Sequence, residues 1–396
     1  MHSLYQKFSL FFKNNHELCL LFWISYCTFF TLYSPQTLLQ SIRADTGVSQ
    51  SLAGLLITVS LIPLAFAPLV YGIFLNRISV RLVLILGMLF IGISLFSFVF
   101  TDQYIIFLIS RIIQGIITPA VILSLMFYIA THFSGATVQR TLAFYTATTM
   151  IGSFSGRIIS GYIASISTWR VSFIIMILLA FSATISACLL QKEANNDTKH
   201  ISPKEIIEVF KQKDVMKVIF CAPLCIFVHS SILNFIPFYM HTINPNVSEF
   251  GIGIIYIGAL ICALLGIFSQ NIVRRIGGEI HAVTIGLSLF ILFIPLILLQ
   301  SYFMLFVALL GSSAGFTLVY TTMPGIVNRS STMEKSVING VYISMYYFFA
   351  SMGTYFPVLL YSKFGVYYYV FFLLICISIA TIIAIKARDV QGHLQS

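Results

Sequence analysis

Hydrophobic runs of about 20 residues recur twelve times along the chain, centred near residues 29, 62, 91, 117, 152, 179, 229, 261, 290, 314, 349 and 376. A run of that length crosses the hydrocarbon core of a bilayer as a helix, which satisfies its own backbone hydrogen bonds where water is absent. No other feature narrows the fold so far. The composition agrees: 59% of the 396 residues are hydrophobic and 9% are charged, against about half and a quarter in an ordinary soluble domain. The 37 Phe and 20 Tyr suit a lipid-facing surface with interfacial aromatic belts. The expected class is an all-α integral membrane protein with twelve transmembrane helices.

A formal net charge of +10 is compatible with a nucleic-acid binder. The placement of the basic residues argues against a nucleic-acid partner, because most fall in short loops between spans. Sorting Lys and Arg by alternate sides puts 17 on one side and three, Arg43, Arg170 and Lys363, on the other. Arg111 and Arg157 remain within the membrane. The positive-inside rule then places both termini in the cytoplasm, and the expected location is the cytoplasmic (inner) membrane. The first span lacks a small-residue cleavage site and runs straight into more spans, so no removable signal peptide is read. The seven Cys sit in apolar stretches with no CxxC pair, which points to buried thiols and away from a metal site.

One long polar segment, "QKEANNDTKHISPKEIIEVFKQKDVMK", divides the spans six and six. The expected organisation is residues 1–190 as the N-terminal half, 191–217 as a cytoplasmic linker and 218–396 as the C-terminal half. Within the linker, Ser202 and Pro203 occupy helix-start positions before apolar residues at helical spacing, which predicts a short amphipathic helix. Shifting the sequence by 197 residues places Arg77 on Arg274, Tyr145 on Tyr342 and Gly156 on Gly353. Two parallel six-helix repeats with a site between them is a known transporter plan.

Short motifs follow in order along the spans. "GIFLNRISVR" (Gly72 to Arg81) comes after the second span, "RIIQGIITPA" (Arg111 to Ala120) lies in the fourth, "GSFSGRIISG" (Gly152 to Gly161) in the fifth, and "TWRVSF" (Thr168 to Phe173) leads into the sixth. Together these resemble the major facilitator superfamily, and within it the bacterial-type drug or metabolite efflux branch of proton antiporters. Gly72, Arg77 and Arg81 match the family's signature loop, while Asn76 stands where Asp is usual and Ser79 where Gly is usual. Arg157 stands where the antiporter pattern usually carries proline. The resemblance implies that Gly72, Asn76, Arg77 and Arg81 form a conformational-switch loop, with Arg77 and Arg81 latching the halves. It also implies that Gly152, Gly156, Ser160 and Gly161 pack the fifth span against the eighth, as small-residue stripes do.

An arginine in hydrocarbon is costly and tends to be paired or functional. Arg111 and Arg157 each lie eight residues from the outer end of their span, about 12 Å deep. Pro35 cannot donate to the carbonyl of Thr31, so that carbonyl is the expected partner of Arg111. Either arginine can be structural or can face a substrate. No Asp or Glu lies within any span. Exporters of cationic drugs, by resemblance, use an embedded carboxylate; here a neutral, zwitterionic or anionic solute is expected instead. His229 is the candidate proton carrier, with simple packing as its other role. Tyr26, Gln36, Gln114, Asn234, Tyr320, Asn339 and Tyr346 are further candidates for substrate or coupling contacts.

The sequence therefore points to a secondary active transporter, acting by alternating access as a proton-coupled efflux protein and as a monomer. No GxxxxGK[ST] loop is present, so nucleotide hydrolysis is not the expected drive. An importer or uniporter of a sugar or organic anion is the alternative, and a transporter-like sensor without flux a further one. The spans hold no paired carboxylates or Ser-His-Asp set, so neither an enzyme nor any cofactor or metal is expected.

Overall fold

The computed structural model describes residues 16–74, 78–132, 136–191, 203–330, 333 and 335–395. Counting only the spanning helices, the first half comprises α1 (His16–Tyr33), α2 (Gln50–Phe74), α3 (Val80–Leu95), α4 (Tyr104–His132), α5 (Ala136–Ile166) and α6 (Trp169–Cys188). The second comprises α7 (Lys213–Ile243), α8 (Glu249–Ile255, continuing through Ile257–Leu265), α9 (Glu279–Phe293), α10 (Tyr302–Arg329), α11 (Lys335–Phe364) and α12 (Val366–Gln395). Every centre read from the sequence falls inside one of these twelve helices. Among the described residues, nine helical segments are long and apolar enough to cross a membrane, and Gln50–Phe66 and Glu249–Leu265 are shorter apolar ones.

The burial pattern is that of a protein built for lipid. Phe90, Phe100, Ile105, Leu178, Leu292 and Phe371 are exposed, whereas Thr28, Thr31, Gln36, Arg111, Gln114, Arg157 and Asn234 are buried. Water would drive the reverse arrangement; lipid does not, because hydrocarbon solvates apolar side chains and leaves polar ones to find partners inside. Within each half, α1 packs on α5 and α7 packs on α11; between the halves, α2 packs along α11 and α5 along α8. The molecule has a proximal pole, where α1 starts and α12 ends, and a distal pole at the opposite end.

The linker helix forms at Pro203–Lys211 and rests on α11, with Val209 buried and Ile207 and Phe210 exposed. Gly72 lies in α2, while Asn76 and Arg77 fall outside the described residues. Arg81 donates to the carbonyl of Cys188 at the end of α6.

The small residues of α5 also differ from expectation. A Cβ on Gly152 would lie 2.6 Å from the Tyr26 oxygen, and one on Gly156 would lie 2.9 Å from the Phe30 oxygen, so this face meets α1 and not α8. Ser160 is buried on the α6 side, where Ser172 Oγ donates to its carbonyl at 2.9 Å. Contact with α8 falls to Gly161, beside the Glu249 carbonyl, and to Gly253, which lies against Arg157 and Ile158. Spacing identifies such a stripe but not the neighbour it faces, since the 3.6-residue period fixes relative and not absolute azimuth.

The internal repeat extends to backbone contacts. Gly353 of α11 lies against the Phe227 carbonyl of α7, as Gly156 lies against that of Phe30, and both members of the pair are offset by 197 residues.

Candidate functional site

Proline sets the site in motion. Pro35 ends α1 and tightens the chain into a 3₁₀ turn at Ser34–Gln36, followed by a short distal helix at Leu39–Thr46. The turn leaves last-turn carbonyls of α1 without a helical partner and presents Gln36 and Thr37 to the interior.

Arg111 on α4 takes one of those carbonyls. Its Nη2 donates to Leu32 O at 2.8 Å and to Ser60 Oγ at 2.8 Å, Nε donates to Leu56 O at 3.0 Å, and Nη1 donates to Gln114 Oε1. The first-span partner is thus Leu32 and not Thr31, because the 3₁₀ turn shifts which carbonyl is left over. Fully buried and engaged at all three nitrogens, Arg111 clamps α1, α2 and α4.

Arg157 on α5 is bound differently. Nε donates to Gln36 Oε1 at 2.7 Å, and Nη1 donates to Ser153 O at 2.8 Å and Ser153 Oγ at 2.7 Å. Nη2 has no partner among the described residues, although only 1% of the residue's surface is accessible. The rings of Tyr33, Phe154 and Tyr256 surround the guanidinium at 4.7, 5.1 and 5.4 Å. Such contacts contribute roughly 0.5–2 kcal/mol each and leave the edge of the group open for hydrogen bonds.

From Arg157 a hydrogen-bonded chain crosses between the halves. Gln36 Nε2 donates to Asn234 Oδ1 on α7 at 3.2 Å, Asn234 Nδ2 donates to Thr354 O on α11 at 2.8 Å, and the hydroxyls of Thr354 and Thr58 on α2 meet at 2.8 Å. Nearer the distal surface, Ser41 Oγ donates to Glu249 Oε1 at the start of α8. These bonds join the two halves on the distal side.

Aromatic residues lie on the proximal side of this chain. Tyr33, Tyr145, Tyr342, Tyr346 and Tyr347 are all within electrostatic reach of Tyr320. Tyr320 stacks on Phe316 at 5.4 Å, and its ring centre is 5.7 Å from that of Tyr346. His229 lies flat on Phe316 at 4.1 Å, and its Nδ1 has no hydrogen-bond partner among the described residues. The hydroxyls of Tyr145 and Tyr342, which correspond under the 197-residue offset, are likewise buried without a partner there.

Of the residues singled out from sequence, the structure brings Arg157, Gln36 and Asn234 into one chain, Arg111 and Gln114 into a second group, and Tyr320 and Tyr346 into a third. Tyr26 accepts from Ser155 Oγ at 3.1 Å and stacks on Trp23. Asn339 pairs its amide with Asn328 near the proximal pole, apart from the central chain. Tyr33, Thr58, Tyr256, Tyr347 and Thr354 were missed. Thr354 was within reach, because the 197-residue offset places it on Arg157. A separate surface cavity of about 400 Å³ at the distal pole is lined by Asp45, Thr101, Asp102 and Arg170. There Arg170 pairs with Asp45 at 3.0 Å and with Asp102, and Trp169 Nε1 donates to Asp45 at 2.8 Å.

Two six-helix repeats meeting at a buried polar layer define a helical membrane protein of the major facilitator fold. The chain belongs to the Major Facilitator Superfamily, whose family model matches residues 18–354. It is similar in structure to a mutant of the nucleoside transporter NupG, at 14% identity and a TM-score of 0.77, covering 94% of this chain and 99% of that one. NupG itself superposes with a TM-score of 0.74 at 14% identity, covering 95% and 98% of the two chains. The POT family transporter PepTSo superposes with a TM-score of 0.73 at 12% identity, covering 96% and 98%. No curated protein matches the chain in sequence. The protein is a multi-pass membrane transporter of the superfamily.

Proposed function

We propose that the protein moves a small neutral, zwitterionic or anionic organic solute across the cytoplasmic membrane by alternating access, taking it up beside Arg157. The observation that carries this reading is a buried guanidinium with a free edge in a membrane interior that holds no carboxylate. A cationic solute meets two arginines and no acid there; an acceptor-bearing solute meets an unused donor. On the positive-inside assignment the distal pole faces outward, so the inter-halves bonds close the outer side and the solute reaches the tyrosines from the cytoplasm. The sequence motifs favour export in exchange for protons, with His229 as the coupling candidate. The likeness to NupG, a nucleoside transporter, favours a second reading as an importer or uniporter.

Everted vesicles and reconstituted proteoliposomes test both readings with a panel of labelled solutes under an imposed proton gradient. Accumulation in everted vesicles that collapses with the gradient supports efflux; gradient-independent counterflow supports a uniporter; flux of no solute overturns transport. In the same assay His229→Phe is expected to flatten the pH dependence of flux, and a profile unchanged from wild type removes His229 as the proton carrier.

A further inference from the structure

Resting on that reading, we propose that the solute is a planar aromatic acid, its carboxylate on Arg157 Nη2 and its ring among Tyr33, Tyr320, Tyr346 and Tyr347. Three observations converge on this class. The first is the shape of the open donor. With rings packed around the Arg157 guanidinium and both Nε and Nη1 engaged, what remains is an in-plane edge. An Nη2 N–H suits an acceptor oxygen such as that of a carboxylate, and the charges make that single bond a strong one.

The second is the excess of donors. Gln114 Nε2, beside Arg111, and the hydroxyls of Tyr145 and Tyr342, twelve residues proximal of Arg157 and Thr354, are buried without partners among the described residues, and each can donate along the path of such a solute. A buried unpartnered polar group costs about 1–3 kcal/mol. A carboxylate only accepts, and it neutralises one of two charges that have no counterion in any span. The charge argument disfavours a cation and the donor argument a hydrocarbon.

The third is the aromatic layer. Tyr346 lies eight residues before Thr354 on α11, about 12 Å toward the proximal pole. Tyr33 links the two levels: its ring is 4.7 Å from the Arg157 guanidinium, and it is an electrostatic neighbour of Tyr320, Tyr346 and Tyr347. Against these rings an aromatic solute gains about 0.5–1.5 kcal/mol beyond area burial. An aliphatic acid would satisfy the arginine and leave the faces unused.

Calorimetric titration of the purified, full-length protein with benzoate, benzamide, cyclohexanecarboxylate and uridine separates these contributions. Benzoate is expected to bind at least tenfold more tightly than benzamide, which lacks the charge, and than cyclohexanecarboxylate, which lacks the plane. Arg157→Lys is expected to weaken benzoate at least tenfold and leave benzamide unchanged, and Tyr346→Leu to erase the preference for benzoate over cyclohexanecarboxylate. Since the isostere comparison uses the wild-type protein, it stands even where a variant fails to fold. Equal affinity for benzoate and benzamide, tighter binding of uridine, or no benzoate binding overturns the proposal. Counterflow of uridine or another neutral solute by the same preparation, without benzoate preference, overturns the acid and leaves the transport reading intact.

Discussion

Arg157 on α5 and Thr354 on α11 occupy the same place in the two halves of the molecule. The carbonyl of each accepts a hydrogen bond from a side chain in an equivalent position: Thr37 donates to Arg157 O at 3.1 Å, and Asn234 donates to Thr354 O at 2.8 Å. The preceding residues, Gly156 and Gly353, both lie against a carbonyl of the helix beside them, Phe30 in one half and Phe227 in the other. The backbone arrangement is therefore the same with and without a guanidinium. The C-terminal half fills the equivalent position with threonine, so on the proposed reading the charge on the N-terminal half serves the solute and not the fold. Arg111 presents the contrary case, with every nitrogen committed to the joining of α1, α2 and α4.

The largest effect is expected from erasing the difference in the wrong direction. Thr354→Arg puts a second guanidinium beside Asn234 and Thr58 with no acid to meet it; an uncompensated buried charge costs about 3–5 kcal/mol. The yield of monodisperse protein in size-exclusion chromatography should fall at least tenfold, and an unchanged yield would show that this layer tolerates charge in either half. Erasing it the other way, Arg157→Thr, should leave the protein folded and lower flux of an anionic solute roughly 30-fold or more, the equivalent of a charge-assisted hydrogen bond.

Smaller effects are expected from the bonds that the two positions share across the interface. Asn234→Thr copies Thr37 into the second half and removes the bond from Gln36, a change of about 1–1.5 kcal/mol. That is roughly a tenfold shift toward distal opening, readable as faster labelling of a cysteine placed at Ser41 by an impermeant maleimide. Labelling at the wild-type rate would show that the bond does not hold the halves together. Thr58→Val removes only the hydroxyl contact with Thr354, and the same labelling should rise about fivefold or less.

How much of this was legible in the sequence depends on which coordinate is asked for. Depth along a span is obtained by counting residues, so the helices and the absence of acids from the spans were readable. Azimuth is not. The Gly152–Gly156 stripe was recognised as a contact surface but given the wrong neighbour, because nothing in a single helix's spacing says whether α1 or α8 stands opposite. The Arg111 partner was missed by one residue, since a 3₁₀ turn after a proline cannot be told from a frayed α-helical end. Tyr33 and Thr58 carried no signal, as tyrosine and threonine are ordinary in these spans. Thr354 was hidden only by neglect of the repeat: the offset that aligned Gly156 with Gly353 aligns the next pair as well.

Thermal unfolding of Arg157→Thr, with and without benzoate, tests most directly the claim that Arg157 serves the solute and not the scaffold. The account predicts a ligand-free Tm within a few degrees of wild type, since burial of an unneutralised charge adds little to stability, together with loss of the ligand-induced rise that wild type shows. A ligand-free Tm that collapses, with the benzoate-induced rise preserved in whatever protein remains folded, would contradict it.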